Sequence, residues 1–556
     1  MNKKVCSFPI LFALLALLIG TCAVVFPASA QAAPTSTGSI TVSGTVARSY
    51  DAYQIFSANV VDGDSDAKIA TELAWASDAV RDAALPVLHS AGMPNSQTTA
   101  QEAAEWLNTD SHLTGALSAQ LARSLQSSVT VPVALNAGTA AELPCGYWLI
   151  VADDATISQD EAGTAPIMAL VGGSAVTVKP KAATPKVAKH VLEDSTAAWQ
   201  KAADATVADD LYWRLSATVP AGLTAYDTYT VRFVDTMSAG LDPSKVAASM
   251  RVYVAAGADG GIDAVSAGKD GRAVTEPAKG WTDITAQCAT KVAADGKTFT
   301  VRTGDLIAAL GGADAFTAGA RVVAVYNAPL NSACSHGIAK GNPNEVYLRY
   351  PRSPFTDQSG DAGFTRTPSD DACAYTWDLA LTKRGSDGDK PLAGAVLSVT
   401  DDRGRTLAAD GTWDAEGKAT VTTGEDGRVT VSGVDSDKLE VRELKAPKGY
   451  TAFEGTRSVT VKAEGLDVDQ VAAAKPKLTI TAESPLRADS ADGSTGSLEA
   501  SLINTPTGTP PSITTGGFMP STGDMAMYAA AAAAVAGAAL IVVALLVKRG
   551  GGSHKE

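Results

Sequence analysis

Tandem immunoglobulin-like β-sandwiches, with helical insertions in the first of them, are what this chain should build; it is a mainly β protein. Three observations lead there. Short runs of alternating apolar and polar residues recur from Ser39 to Asn504, the period-two pattern of strands with one buried face. Glycine is abundant (50 residues) and aromatics scarce (6%), which suits many short strands joined by turns. Only between Ala67 and Leu107 do apolar residues fall three and four apart, the helical spacing.

The first thirty residues combine Lys3 and Lys4, an apolar run and the small exit Ala28-Ser29-Ala30, so 1–30 reads as a signal peptide removed on export. A first domain, 35–180, opens as strand in "SITVSGTVARSYDAYQIFSANVV". It turns helical in "AKIATELAWASDAVRDAALPVL" and "TAQEAAEWL", and returns to strand at "SVTVPVAL" and "CGYWLIVAD". The joint "KPKAATPK" leads to a second domain, 184–370, with strands such as "LYWRLSATVP", "YTVRFVDTM" and "RVVAVYNAPL". A third, 374–508, runs from "YTWDLALTKRG" to "SLEASLINTP", with turn signals at the regular spacing of a sandwich.

Beyond it come a stalk (509–518), the pentapeptide 519–523, an apolar segment (525–547) long enough to span a bilayer, and a basic tail (548–556). Lys548 and Arg549 would hold that tail in the cytoplasm and leave the bulk of the chain outside.

A formal charge of −15 argues against nucleic-acid binding, which needs clustered Lys and Arg. The histidines form no metal spacing, and neither a GxSxG elbow nor a P-loop occurs, so no enzyme, metal or cofactor is expected. Asp62, Asp64 and Asp66 suggest a calcium loop. Ala67 and Leu73 stand where its glycine and bidentate Glu belong, which leaves a solvated acidic turn. Cys145, Cys288, Cys334 and Cys373 persist after signal removal, in an oxidising setting; three pairings are open. Cys288 with Cys334 is the pair expected, because both fall in one domain.

Strand parity then singles out ionisable residues on apolar faces. Lys383 shares a face with Trp377, Leu379 and Leu381; Glu443 with Leu439 and Val441; Asn504 with Leu498 and Leu502. Burial disfavours the charged form of lysine and carboxyl alike. A neutral Lys383 amine could attack the Asn504 amide, polarised by a protonated Glu443, release ammonia and leave an isopeptide cross-link. A buried ion pair is the plainer alternative. In the second domain Lys189 shares parity with Val187 and Val191, Asp235 with Val231 and Phe233, and Asn344 with Val346 and Leu348. Lys181 falls on the other parity from Val176 and Val178, and so should be exposed.

Several of these stretches resemble one family. "LEVRELKAPKGY" resembles the E-box of sortase-assembled backbone (major) pilins, the isopeptide-forming fimbrial subunits of Gram-positive bacteria, with Glu443 at the catalytic acid. "LTKRGSDGDKPLAGAVLSV" and "INTP" look like the opening and close of their Cna-B-type domain. "FVDTMSAGL" and "NAPLN…GNPNEVYLRYPRSP" look like their middle domain, in which an Asp assists a Lys–Asn bond. That role would fall to Asp235 and Lys189. Arg352 stands where the family has its Asn, so Asn344 would substitute, or the domain would carry no bond.

"FMPSTGD" resembles the LPxTG-type sorting signal: Met519, Pro520, Ser521, Thr522 and Gly523, with cleavage after Thr522. "VTVKPK" resembles the pilin motif with Lys181 as the linking lysine and Lys179 as rival. The resemblance implies a structural subunit of a covalently polymerised, cell-wall-anchored pilus shaft supporting adhesion. Its partners would be sortase, identical subunits, peptidoglycan, minor pilins and a host surface ligand. A minor or basal pilin, or a monomeric wall-anchored adhesin, is the alternative.

Overall fold

Strands dominate the chain, and they group into three successive β units. The computed structural model describes residues 36–508 apart from 45–46, 65–66, 110–111, 130, 159–160, 181–183, 258–264, 268–273, 317–318 and 357. The expected signal peptide (1–30), Lys181, the pentapeptide from Met519 through Pro520, Ser521 and Thr522 to Gly523, and the apolar segment 525–547 lie outside the described residues. Among the described residues, no helix is long and apolar enough to cross a membrane.

In the first unit, β1 (Thr37–Val42), β2 (Ser49–Asp62) and β3 (Lys68–Trp75) are followed by helices α1 (Asp78–Ser90), α2 (Ala100–Asn108) and α3 (Gly115–Ser128). Strands β4 (Gly146–Ala152), β5 (Ile167–Val171) and β6 (Val176–Val178) complete it. The central sheet runs β3-β2-β4-β5. One face packs on the helices through Phe56, Leu88, Leu121 and Leu149; the other packs on a small sheet of β1 and β6 through Ile40, Trp148, Ile150 and Val171.

Three local expectations need correction. Lys68–Trp75 is strand rather than helix, because it folds back on β2 with Asp62 opposite Lys68 and Phe56 opposite Trp75, and ladder pairing outweighs its helical spacing. Helix α1 starts only at Asp78, where the Ser77 hydroxyl accepts from the Val80 amide. "SVTVPVAL" supplies only the strand Val133–Asn136, because its start ends helix α3. That helix was not expected, although Thr114 caps it and Leu117, Leu121 and Leu125 form its buried stripe.

The second unit is a two-sheet sandwich. Its first sheet orders β7 (Lys186–Glu193), β8 (Tyr212–Val219), β12 (Ala320–Asn327) and β10 (Arg251–Ala256). Its second orders β15 (Asp370–Tyr375), β13 (Asn342–Pro351), β9 (Arg232–Met237) and β11 (Thr298–Arg302), with β14 (Phe364–Arg366) on β13. Trp213, Phe233, Phe299, Val322 and Leu348 fill the space between. Because β15 pairs with β13, this unit runs past position 370.

The third unit places β16 (Trp377–Gly385) between β18 (Arg428–Val434) and β23 (Ser497–Pro506), with β22 (Leu486–Asp492) beyond β23. The facing sheet orders β17 (Val396–Thr400), β19 (Lys438–Lys445), β20 (Thr456–Glu464) and β21 (Lys477–Ala482). Its first and last strands, β16 and β23, lie side by side and parallel, with Lys383 opposite Leu502 and Gly385 opposite Asn504. A parallel pair between chain ends means that a pull along the chain loads this ladder in shear.

Candidate functional site

Alternation along β16 turns Trp377, Leu379, Leu381 and Lys383 inward, and each is at most 1% exposed. On the facing sheet Leu439, Val441 and Glu443 do the same; on β23, Leu502 and Asn504. These three strands bring one amine, one carboxyl and one amide together. The Lys383 Nζ contacts Asn504 Oδ1 and lies 3.2 Å from Glu443 Oε1, and Asn504 Nδ2 donates to Glu443 Oε1 at 2.9 Å. The other oxygen, Oε2, accepts from the Phe453 amide at 3.1 Å, and the Phe453 ring lies 5.9 Å from the amine. Burial pushes the Lys383 ammonium down to about 8, against the opposing pull of Glu443. The amine is therefore far more readily neutral than an exposed lysine, and it already touches the amide it would attack.

The second unit repeats the arrangement between its sheets. Lys189 comes from β7; Asp235 from β9 and Asn344 from β13 come from the opposite sheet, and all three are fully buried. Lys189 Nζ pairs with Asp235 Oδ2 and donates to the Tyr326 hydroxyl at 2.8 Å. That hydroxyl donates to Asp235 Oδ2 at 3.0 Å and accepts from Asn344 Nδ2 at 2.8 Å. Lysine and asparagine are thus two hydrogen bonds apart through one tyrosine. Asp235 Oδ1 and Asn344 Oδ1 are buried with no hydrogen-bond partner. Burial pushes Lys189 down to about 8 and Asp235 up, with their mutual attraction opposing both shifts. Trp213 and Tyr326 rings stand 5.4 and 5.3 Å from the amine and keep water out.

Tyr326 and Phe453 are the two participants that sequence reasoning missed. Tyr326 shares inward parity with Val322 and Ala324 on β12, so the signal was present; only the facing register shows that it meets Lys189.

Arg352 is not a partner of this cluster. Its segment docks the first unit: the Arg352 carbonyl accepts from Gly163 N at 2.6 Å, Ser353 Oγ donates to Asp154 Oδ2 at 2.8 Å, and the Pro354 carbonyl accepts from Arg123 at 3.2 Å. Lys179 is exposed beyond β6, while Lys181 falls outside the described residues.

The expected Cys288–Cys334 disulfide is not formed; both are free thiols, as are Cys145 and Cys373. Sharing a domain does not bring the two together. Cys288 Sγ donates to Ile284 O at 3.3 Å, whereas Cys334 sits 3.5 Å from His336 Nε2, in a loop held against the third unit. Among the described residues no group of three or more His, Cys, Asp or Glu could hold a metal ion.

Tandem sandwiches thus enclose a lysine, a carboxyl and an asparagine in the cores of two units. Residues 378–475 match the family described as SpaA, prealbumin-like fold domain. The trypsin-resistant surface T6 protein of Streptococcus pyogenes serotype M6 (strain ATCC BAA-946 / MGAS10394) is 30% identical over 143 residues, 24% of each chain, so this chain spans about a quarter of that relative's length.

Among solved structures, the T6 backbone pilin of serotype M6 Streptococcus pyogenes aligns with 86% of this chain and 100% of its own at 16% identity, with a TM-score of 0.45. The full-length major pilin SpaD of Corynebacterium diphtheriae aligns with 85% of this chain and 98% of its own, at 15% identity and a TM-score of 0.40. The chain is similar to Gram-positive backbone pilins.

Proposed function

We propose that this chain is the structural shaft subunit of a covalently polymerised pilus, exported and anchored to the cell wall of a Gram-positive bacterium. The observation that carries the reading is the buried Lys383–Glu443–Asn504 cluster, which bridges the first and last strands of the unit whose residues 378–475 match the SpaA family.

The chemistry balances as an amide exchange. A proton leaves the Lys383 ammonium for Glu443, and the neutral Nζ attacks Asn504 Cγ. Glu443 gives that proton to Nδ2 and takes the second proton that Nζ sheds, the Cγ–Nδ2 bond breaks, and ammonia departs, leaving Glu443 protonated. The product is a neutral amide in place of the buried lysine, beside a protonated Glu443, so the desolvation penalty that makes the lysine reactive is relieved on reaction. Lys189 and Asn344, with Asp235 as the carboxyl and Tyr326 between them, are proposed to react in the same way. The only catalysis is intramolecular, and the chain is not a turnover enzyme.

Polymerisation would use the ends. A sortase cleaves after Thr522 within Met519-Pro520-Ser521-Thr522-Gly523 and passes the Thr522 carbonyl to Lys181 of the next subunit, or finally to peptidoglycan. Exposure of Thr177 and Lys179 beside the buried Val178 supports the placement of this segment at the surface. The test is a denaturing gel of wall extracts. A ladder of high-mass species that vanishes in Lys181→Ala is expected; a single monomeric band from the unaltered chain would leave the minor pilin or monomeric adhesin instead.

A further inference from the structure

The outer face of the second unit carries four arginines in direct cross-strand register. Arg302 on β11 faces Arg232 on β9, Arg232 faces Arg349 on β13, and Arg349 faces Arg366 on β14. Like charges placed opposite each other weaken a sheet. In a chain of formal charge −15, such a row needs a reason.

Loop attachment accounts for the middle of the row. Asp361 pairs with Arg232 and lies 3.1 Å from Arg349, while the Gln358 and Gly360 carbonyls accept from Arg232 at 3.2 and 3.1 Å. Arg366 lies over the Tyr347 ring at 5.2 Å. Arg302 differs: one nitrogen reaches the Gln358 carbonyl at 3.3 Å, and the side chain is exposed at the mouth of a cleft of about 470 Å³. Thr228, Thr230, Gln287, Thr303 and Gln358 line that cleft, with Ala289 its one apolar side chain. Its carboxylate, Asp305, is already engaged, accepting from the Tyr229 and Ile307 amides at 2.9 and 3.1 Å.

A polar cleft of this size suits neither a lipid nor an aromatic ligand, which need apolar walls. Hydroxyls and amides suit a polyhydroxylated ligand, and a guanidinium suits a planar carboxylate or a sulfate. We propose that this cleft binds an acidic saccharide, with its anionic group on Arg302, its hydroxyls on Thr228 and Gln287, and the arginine row supplying attraction at longer range. Burial is the main cause that pushes the Arg232 guanidinium down; Asp361 pulls it back, and Arg302 and Arg349 add smaller downward pushes. Since Phe233 and Asp235 face the opposite side of β9, this site is independent of the lysine cluster and of polymerisation.

The test is calorimetric titration of the full ectodomain with a heparin octasaccharide and, separately, a hyaluronan octasaccharide, which carries carboxylates but no sulfate. Binding of either supports the site and identifies its anion. Arg302→Glu should weaken that binding at least about tenfold, and Gln287→Ala severalfold, with melting temperatures unchanged; Arg81→Glu, on helix α1, should have no effect. Absence of binding to both saccharides would overturn the proposal. So would equal losses in Arg302→Glu and Arg81→Glu, or inorganic sulfate displacing the saccharide at equal concentration.

Discussion

Lys383 Nζ lies against Asn504 Oδ1, across two parallel strands that are the first and last of the third unit. A bond at that point closes a loop of 121 residues, almost the whole domain. Force entering at one chain end would then pass to the other through one covalent bond, leaving the ladder hydrogen bonds unloaded.

Glu443→Gln should leave the bond unmade, because the amide cannot carry the proton from amine to leaving group. The purified variant would retain the Asn504 ammonia in its mass, and its fold should persist because Gln keeps the shape. A variant that still loses this ammonia would show that Glu443 is dispensable.

Lys383→Ala removes the cross-link itself. By the chain-entropy relation used for disulfides, closing a loop of this length stabilises by about 5 kcal/mol. The third unit should therefore melt on the order of 10–20 °C lower. Unchanged calorimetric and single-molecule unfolding would mean that the bond carries no load.

Tyr326→Phe tests the second cluster. It leaves the Asn344 amide with one buried donor unsatisfied, which costs about 1–3 kcal/mol. If Lys189 reacts with Asn344, the variant should also show a smaller fraction of molecules lacking the second ammonia. Peptide mapping that finds Lys189 free in both proteins would restrict Tyr326 to packing.

The seam between the second and third units should respond to pH. Asp204 Oδ2 accepts from Trp377 Nε1 at 2.7 Å and Ser436 Oγ at 2.5 Å, while Glu193 faces it and Arg405 clamps Asp209 at 2.5 and 2.8 Å. Burial first, and Glu193 second, push Asp204 from 3.8 up to about 8. The folded seam then binds more protons than the unfolded chain. Its contribution is fully present below about pH 4 and is lost as pH rises toward about 8. Melting temperature against pH should fall across that window, and Asp204→Asn should flatten the fall. An identical slope in the variant would place the titration elsewhere.

How much of this could be read before the structure follows from the period of a strand. Parity alone places Lys383, Glu443, Asn504, Lys189 and Asp235 on inward faces, since alternation is local. What parity cannot supply is which facing strand meets which. Parity is therefore silent on the meeting of Tyr326 with Lys189, and a shared domain does not make Cys288 and Cys334 neighbours. Lys68–Trp75 misled for the opposite reason: its spacing fits a helix, and only pairing with β2 makes it a strand. At Arg352, where the sequence departs from the resembling pattern, the backbone carbonyl accepts from Gly163 in the joint to the first unit.

The most direct test is the intact mass of the ectodomain, Gln31 to Thr522, after reduction. Two missing ammonias are predicted, with peptide mapping that joins Lys383 to Asn504 and Lys189 to Asn344. One missing at Lys383–Asn504 would retain the third unit's cross-link and refute the second. A mass equal to the sequence would contradict the central claim and leave two buried ion pairs in an ordinary β protein.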